Sequence, residues 1–253
     1  MEKPIVIYTD HIINRTVCYN FAKGSDSLLC HVKNFNDYNK TIATYGVLRG
    51  TLDIINKVKN YYYMDHGYFN QSKRLFENNR TNVINLHGYF RIVHNNFVHN
   101  GKGNFPSDRF KKLDLKIFDQ KKTGEYIIIS EPSEAMKQVY NVPKWTDETI
   151  KLVKKYTDRK LVLHNKFSKE PLNHLLKKAW AFVSLQSTAG FTSMLNGVPS
   201  FFTDSSLNYI GKIQDIENPV INYNIFNNLA YGQWTLKEIE TGMAWDYISK
   251  NIS

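Results

Sequence analysis

The sequence predicts an α/β protein built in two halves, each with its own parallel sheet. Three observations predict it. Short apolar runs of buried-strand type alternate with amphipathic stretches at 4–9, 41–58 and 61–64, and again from 126 to 202. Helix-length segments separate many of these runs, as parallel strands require. Between 100 and 124 the composition turns to glycine, proline and charge (GKGNFPSDRF and DQKKTG), which marks a connection between the halves. The expected domains are 1–112 and 113–253.

In order, PIVIYT (4–9) is a strand ending at Asp10, and 14–22 is a helix. Residues 27–35 form a second strand with loose alternation. Residues 41–45 form a strand, Gly46 a turn, and 47–58 a helix whose inner side is Leu48, Leu52, Ile55 and Val58. Arg49 falls in the first turn of that helix, where a cation opposes the dipole. It therefore serves an anionic ligand or a local carboxylate. YYYM (61–64) is the next strand and leads into Asp65-His66-Gly67-Tyr68. Residues 87–98 are β-like and carry Arg91, His94 and Asn95.

The second half opens with the buried-type strand YIIIS (126–130), followed by Glu131-Pro132-Ser133. A helix over 147–156 places acids at its start and lysines near its end, matching the dipole. KLVLH (160–164) is a strand, Pro171 starts a helix over 171–179, and WAFVS (180–184) is a strand. Ser187 caps a helix over 188–196, which Gly197 and Pro199 stop. PSFF (199–202) is the last clear strand. Thr235 and Glu238 form a capping box at the start of a helix over 235–248, expected to pack back on the body. Taken together the halves read as two Rossmann-like domains.

The totals restrict the function classes. With 42% hydrophobic residues the 253-residue chain buries a substantial core. Cys18 and Cys30 have neither metal-site nor redox-motif spacing, which predicts a reducing compartment. The start MEKPIVIYTD enters a strand at once, and no apolar run is long enough to span a bilayer, so a cytoplasmic location is expected. The net charge of +10 suits a polyanion such as DNA, although a lysine-rich composition bias alone raises it. Walker A, G-x-G-x-x-G and D-x-D patterns do not occur in the sequence, so NTPase, dehydrogenase and metal-motif readings have no support.

The stretch 160–202 carries the chemistry. Its small-residue turn Ser187-Thr188-Ala189-Gly190 opens a helix directly after an apolar strand. Such a helix start offers N–H groups and the positive dipole end to a phosphate. Lys166, His164, Ser130, Glu131 and Ser133 lie on loops of the same strand ends. The alternative is an ordinary strand-to-helix turn. In the front half, functional groups collect beyond the carboxyl ends of strands. That makes Asp65 the first candidate for a catalytic base and Asp10 the second; a turn-capping Asp65 is the alternative. Arg49, His66, Tyr68, Lys73, Arg74 and Arg91 are the candidate DNA-binding residues, with Tyr68 or Phe69 available to stack on a base.

The run S-x-A-x(5)-L-x-G-V-P, here Ser187, Ala189, Leu195, Gly197, Val198 and Pro199, resembles the donor-binding segment of GT-B glycosyltransferases. TYGVLRGT, YYYMDHGYF and FRIVHNN resemble phage-type proteins of that class. The resemblance implies two Rossmann-like domains facing across a cleft, with the C-terminal one holding a nucleotide diphosphate sugar, UDP-sugar first. It implies sugar transfer to a hydroxyl, with hydroxylated or hydroxymethylated pyrimidine in phage DNA as the first acceptor. Surface polysaccharide synthesis and sugar-nucleotide epimerisation are the alternatives. Two departures stand out: the helix GFTSMLNG lacks the carboxylate that often binds ribose, and His164 stands where Arg would bind phosphate better.

Overall fold

The computed structural model describes residues 2–71, 87–99 and 103–251. The first elements are β1 (Ile5–Tyr8), α1 (Ile12–Ser25), β2 (Leu29–His31), β3 (Ile42–Tyr45), α2 (Thr51–Ile55), β4 (Tyr61–His66) and β5 (Tyr89–His94). There follow α3 (Asp108–Lys111), β6 (Tyr126–Ser130), α4 (Glu134–Val139), α5 (Trp145–Val153), β7 (Lys160–His164), α6 (Leu172–Leu175), β8 (Ala179–Ser184), α7 (Thr188–Leu195) and β9 (Ser200–Phe202). The chain ends with α8 (Ile225–Tyr231), β10 (Gln233–Thr235), α9 (Leu236–Glu240) and α10 (Met243–Asn251). Its contacts divide it into two compact units, Met1–Asn100 with Leu229–Ser253, and Gly101–Asn228. The composition change lies within 100–124; the contacts divide at Asn100 and return the last segment to the first unit.

In the first unit the sheet order is β10-β5-β4-β3-β1-β2. The strands β2, β1, β3 and β4 are mutually parallel, as the alternation predicts. Beyond them β5 runs antiparallel to β4, and β10 antiparallel to β5, so this sheet is mixed rather than wholly parallel. One face is closed by α1, which buries Ile13, Val17, Phe21 and Ala22 at helical spacing. Trp234, Ile239, Ala244 and Ile248 from the end of the chain join the same core. Gly24 of α1 meets α9 so closely that a Cβ there would lie 1.9 Å from the Ile239 carbonyl oxygen. Only glycine fits that crossing.

The second unit holds a wholly parallel sheet of order β7-β6-β8-β9. Ile127, Ile128 and Ile129 of β6 are fully buried. Ile127 and Ile129 pack with Trp145 and Val153 on one face, and Ile128 packs with Leu175, Leu176 and Phe182 on the other. Such two-sided burial is why this strand reads as a continuous apolar run. After α7, Gly197 takes φ 72, and a Cβ there would lie 2.1 Å from the Asp119 carbonyl oxygen. The left-handed cap and the close backbone approach both demand glycine at that position.

Several sequence expectations change. The strand over 27–35 shortens to Leu29–His31 and continues as a 3-10 turn, Val32–Asn34. The helix over 47–58 shrinks to Thr51–Ile55, because Arg49 and Gly50 both adopt positive φ. Arg49 therefore precedes the helix instead of sitting in its first turn, and the dipole argument for it lapses. The helix over 171–179 is only Leu172–Leu175. The final helix breaks in two at Gly242, which has φ 85; its capping box forms as expected.

Both sheets place their second strand outside the first and their third on the other side of it: β2-β1-β3-β4 and β7-β6-β8-β9. Each therefore has a topological switch point, between β1 and β3 and between β6 and β8, where ligands gather in open α/β sheets. At the first, buried Asn14 of α1 ties the two strand ends together. Its Oδ1 accepts from Thr9 N–H at 2.7 Å and its Nδ2 donates to the Tyr45 carbonyl at 2.6 Å. Asn14→Leu keeps the bulk and orphans both backbone groups, so it should cost about 2–5 kcal/mol. A thermal melt of the variant checks this; an unchanged midpoint would show that the tie is dispensable.

Candidate functional site

At the second switch point, Ser130 ends β6 and stands in register with His164 of β7 and Ser184 of β8. The expected donor residues thus gather along one sheet edge of one unit. Ser187 N-caps α7: its hydroxyl accepts from Ala189 N–H at 3.2 Å, and its carbonyl from Gly190 N–H at 2.9 Å. Buried Ser184 in turn accepts from Ser187 N–H at 3.3 Å. Ser187, Thr188 and Ala189 are half-buried, so the helix start is reachable from solvent. Gly190 is glycine for a different reason. A Cβ there would lie 2.6 Å from the Phe202 ring, so the residue lets α7 pack onto β9.

Glu131 does not face a ligand. Its carboxylate accepts from Lys137 at 3.0 Å, Thr146 at 2.8 Å and Asn165 at 3.3 Å. The hydrogen bond from Lys137, then that from Thr146, holds its pKa below the usual carboxylate range. Glu131 therefore joins the loops after β6 and β7 to α4 and α5. Ser133 N-caps α4. Asn165 closes a turn, its Oδ1 accepting from Phe167 N–H at 2.9 Å. That turn presents Lys166, which is exposed, lies over the Phe167 ring and makes no ion pair among the described residues. His164 is half-buried at the same edge. Lys137, Thr146 and Asn165 escape sequence reading because their role depends on contacts between separate loops.

In the first unit Asp65 lies on β4 directly opposite Arg91 of β5. Arg91 is only 6% exposed. It donates to Asp65 Oδ2 at 3.0 Å, to the His66 carbonyl at 2.9 Å and to the Phe97 carbonyl at 3.1 Å. Tyr63 donates to the same Asp65 oxygen at 2.8 Å, and His66 N–H to Asp65 Oδ1 at 2.8 Å. Burial disfavours the Arg91 charge and Asp65 favours it, with a net rise above the ordinary arginine value. Burial, then the Asp65 charge, drives the Tyr63 phenol far above its usual range. Arg91 therefore fixes Asp65 and cannot line an acceptor surface.

Tyr68 is likewise withdrawn from an acceptor role. It is fully buried, its hydroxyl donates to the Val98 carbonyl, and its N–H donates to Gln233 at 2.8 Å. Phe69 is buried beside it. His66 is half-buried between Tyr45 and Phe90. Arg49 is exposed, and Lys73 and Arg74 lie outside the described residues. Asp10 follows β1 at the first switch point with its side chain 82% exposed, and its Oδ1 lies 3.4 Å from His31 Nε2. His31 Nδ1 accepts from Lys33 N–H at 3.3 Å, and its other ring nitrogen faces Asp10. Sequence reading missed His31, since only the β1–β2 pairing brings it near Asp10. Among the described residues, no group of three or more His, Cys, Asp or Glu side chains could hold a metal. No helix there is long and apolar enough to cross a membrane.

Two outcomes follow from these pairs. Because the Glu131 carboxyl is more acidic in the folded state, the unfolded chain binds more protons in the acid range. Its contribution is full above the unfolded value of about 4.3 and is lost as pH falls through the lower folded value. Melting curves between pH 3 and 6 should show a smaller acid loss for Glu131→Gln than for the wild type. Arg91→Met strands the Asp65 charge and should cost about 3 kcal/mol, with part regained in the Arg91→Met, Asp65→Asn double variant. Additive losses in that cycle would refute the coupling.

No family model matches the chain, and no curated protein does. Among solved structures it is similar to the Thermosulfurimonas dismutans KpsC, beta Kdo 2,7 transferase. That similarity has a TM-score of 0.50 at 8% identity, covering 95% of this chain and 98% of the other. At that identity the likeness is one of fold: a mixed α/β chain with one parallel and one mostly parallel sheet.

Proposed function

We propose that the chain is a glycosyltransferase that takes its sugar from a nucleotide diphosphate sugar bound at the carboxyl edge of the second sheet. The observation that carries this reading is the solvent-reachable, Ser187-capped start of α7 at the β6/β8 switch point, with exposed Lys166 at the same sheet edge, on the turn after β7 beyond the intervening β6. The likeness to a Kdo transferase over nearly the full length of both chains agrees with it. The pyrophosphate meets the α7 start and Lys166, while Ser130, Ser133 and His164 border the nucleotide. Glu131 holds their loops in place. A UDP-sugar is the first donor to test.

In the transfer, the acceptor hydroxyl oxygen bonds to the anomeric carbon, the bond from that carbon to the phosphate oxygen breaks, and the nucleoside diphosphate leaves. The hydroxyl proton passes to a carboxylate. Asp65 already accepts from a guanidinium, a phenol and an amide, which leaves little capacity for an acceptor hydroxyl. Asp10, exposed at a strand end beside His31, is the better proton acceptor.

For the acceptor, a growing surface glycan agrees with the sugar transferase likeness. Hydroxymethylated pyrimidine DNA keeps the support of the +10 net charge. It loses two expected contacts, because Tyr68 and Arg91 are buried. Mass analysis after incubation with UDP-sugars and either glycan or modified DNA separates the two.

Lys166→Ala should raise the donor KM about tenfold, equivalent to about 1.4 kcal/mol. Asp10→Asn should lower kcat about 100-fold or more with the donor KM unchanged. Titration calorimetry with UDP and UDP-sugars tests the site directly. Absence of binding at millimolar nucleotide would overturn the donor reading, and a kcat loss confined to Asp65→Asn would move the base to that residue.

A further inference from the structure

The second unit has a cavity of about 380 Å³ lined by Gly103, Asn104, Tyr209, Ile210, Asn222, Asn224, Ile225 and Asn228. The volume falls in the range of small-molecule sites, roughly 300–1,000 Å³. None of the residues lining it belongs to the proposed donor edge. From this lining we infer that the cavity is a binding site for an uncharged sugar unit.

The argument begins with Asn228. It is 7% exposed, on α8, and its side-chain amide makes no hydrogen bond among the described residues. It is also not among the buried polar atoms sealed from solvent, so the exposure it keeps is at the amide, facing the cavity. In the empty cavity that amide can bond water, and a ligand that displaces the water has to replace its hydrogen bonds. An amide offers two donors and one carbonyl acceptor in a plane, which suits adjacent sugar hydroxyls that both give and take hydrogen bonds.

The rest of the lining agrees. Asn104, Asn222 and Asn224 bring three more amides to an exposed rim, and Asn222 is oriented by accepting from Asn224 N–H at 3.1 Å. Ile210 and Ile225 are buried and supply an apolar wall for the C–H face of a sugar ring. Tyr209 adds an aromatic ring, and burial pushes its phenol well above the ordinary range, so it stays neutral. Among the described residues, no Lys, Arg, Asp or Glu lines the cavity. A phosphate or a sugar carboxylate would find no counter-charge there, whereas a neutral polyol needs none.

The test uses the full chain without a donor, so it does not depend on glycosyl transfer. Saturation-transfer NMR with glucose, galactose, mannose and N-acetylglucosamine should show binding of at least one, and weaker or no binding of glucuronic acid and inorganic phosphate. Asn228→Leu should weaken that binding tenfold or more while leaving the melting temperature unchanged or raised. A merely structural amide would instead lower it. If Asn228→Leu fails to fold, Asn224→Ala on the exposed rim should still weaken binding severalfold. The inference is overturned if no neutral sugar binds at 50 mM, if the acidic ligands bind better, or if folded variants bind as tightly as the wild type. UDP binding measured on the same samples reports separately on the donor site.

Discussion

The second unit depends on one strand whose three central residues have no access to water. Both edges of β6 are paired, and its three isoleucines are fully buried on two faces. Its backbone groups have only β7 and β8 to bond, so register is fixed and the strand ends are held at one level. The carboxyl edge follows from this. Ser130, His164 and Ser184 stand side by side, and the chain leaves β6 and β8 in loops on either side of the switch point. Glu131 then binds those loops to one another. The strand-end residues at that edge are thus positioned by ladder pairing.

What was legible in the sequence was what local chemistry decides. The run YIIIS, the Ser187 cap with its Gly197 stop, and the Thr235–Glu238 capping box each name their own structure within a few residues. What escaped depends on distant partners. Residues 233–235 become a strand because β5 offers a free edge, and Gln233 there accepts from Tyr68 and Phe69 N–H groups. The Asp65–Arg91 pair exists only through antiparallel register. Short range failed in one place as well. Helical periodicity over 47–58 looked sound, yet left-handed Arg49 and Gly50 delay the helix to Thr51.

The candidate site shows the same division. The order of strand, small-residue turn and helix nominated the α7 start, and a strand end nominated Lys166; both follow strands that end at the same sheet edge. Residue type nominated Arg91 and Tyr68 as surface contacts, because arginine and tyrosine are amphipathic and common at binding surfaces. Here both satisfy backbone carbonyls in the interior. A buried ion pair such as Asp65–Arg91 adds little net stability compared with an apolar pair, and its effect is to fix geometry. That restrains the end of β4, where Asp65 lies.

The return of Leu229–Ser253 to the first unit has a consequence for synthesis. Trp234, Ile239, Ala244 and Ile248 complete the core over α1, and β10 covers the outer edge of β5. During translation the whole of Gly101–Asn228 emerges before these residues do. The first unit therefore waits with an open sheet edge and an uncovered apolar helix face while the second closes from continuous chain. The half that is made first is the half that finishes last, and its exposed interval on the ribosome lengthens with every residue inserted between Asn100 and Leu229.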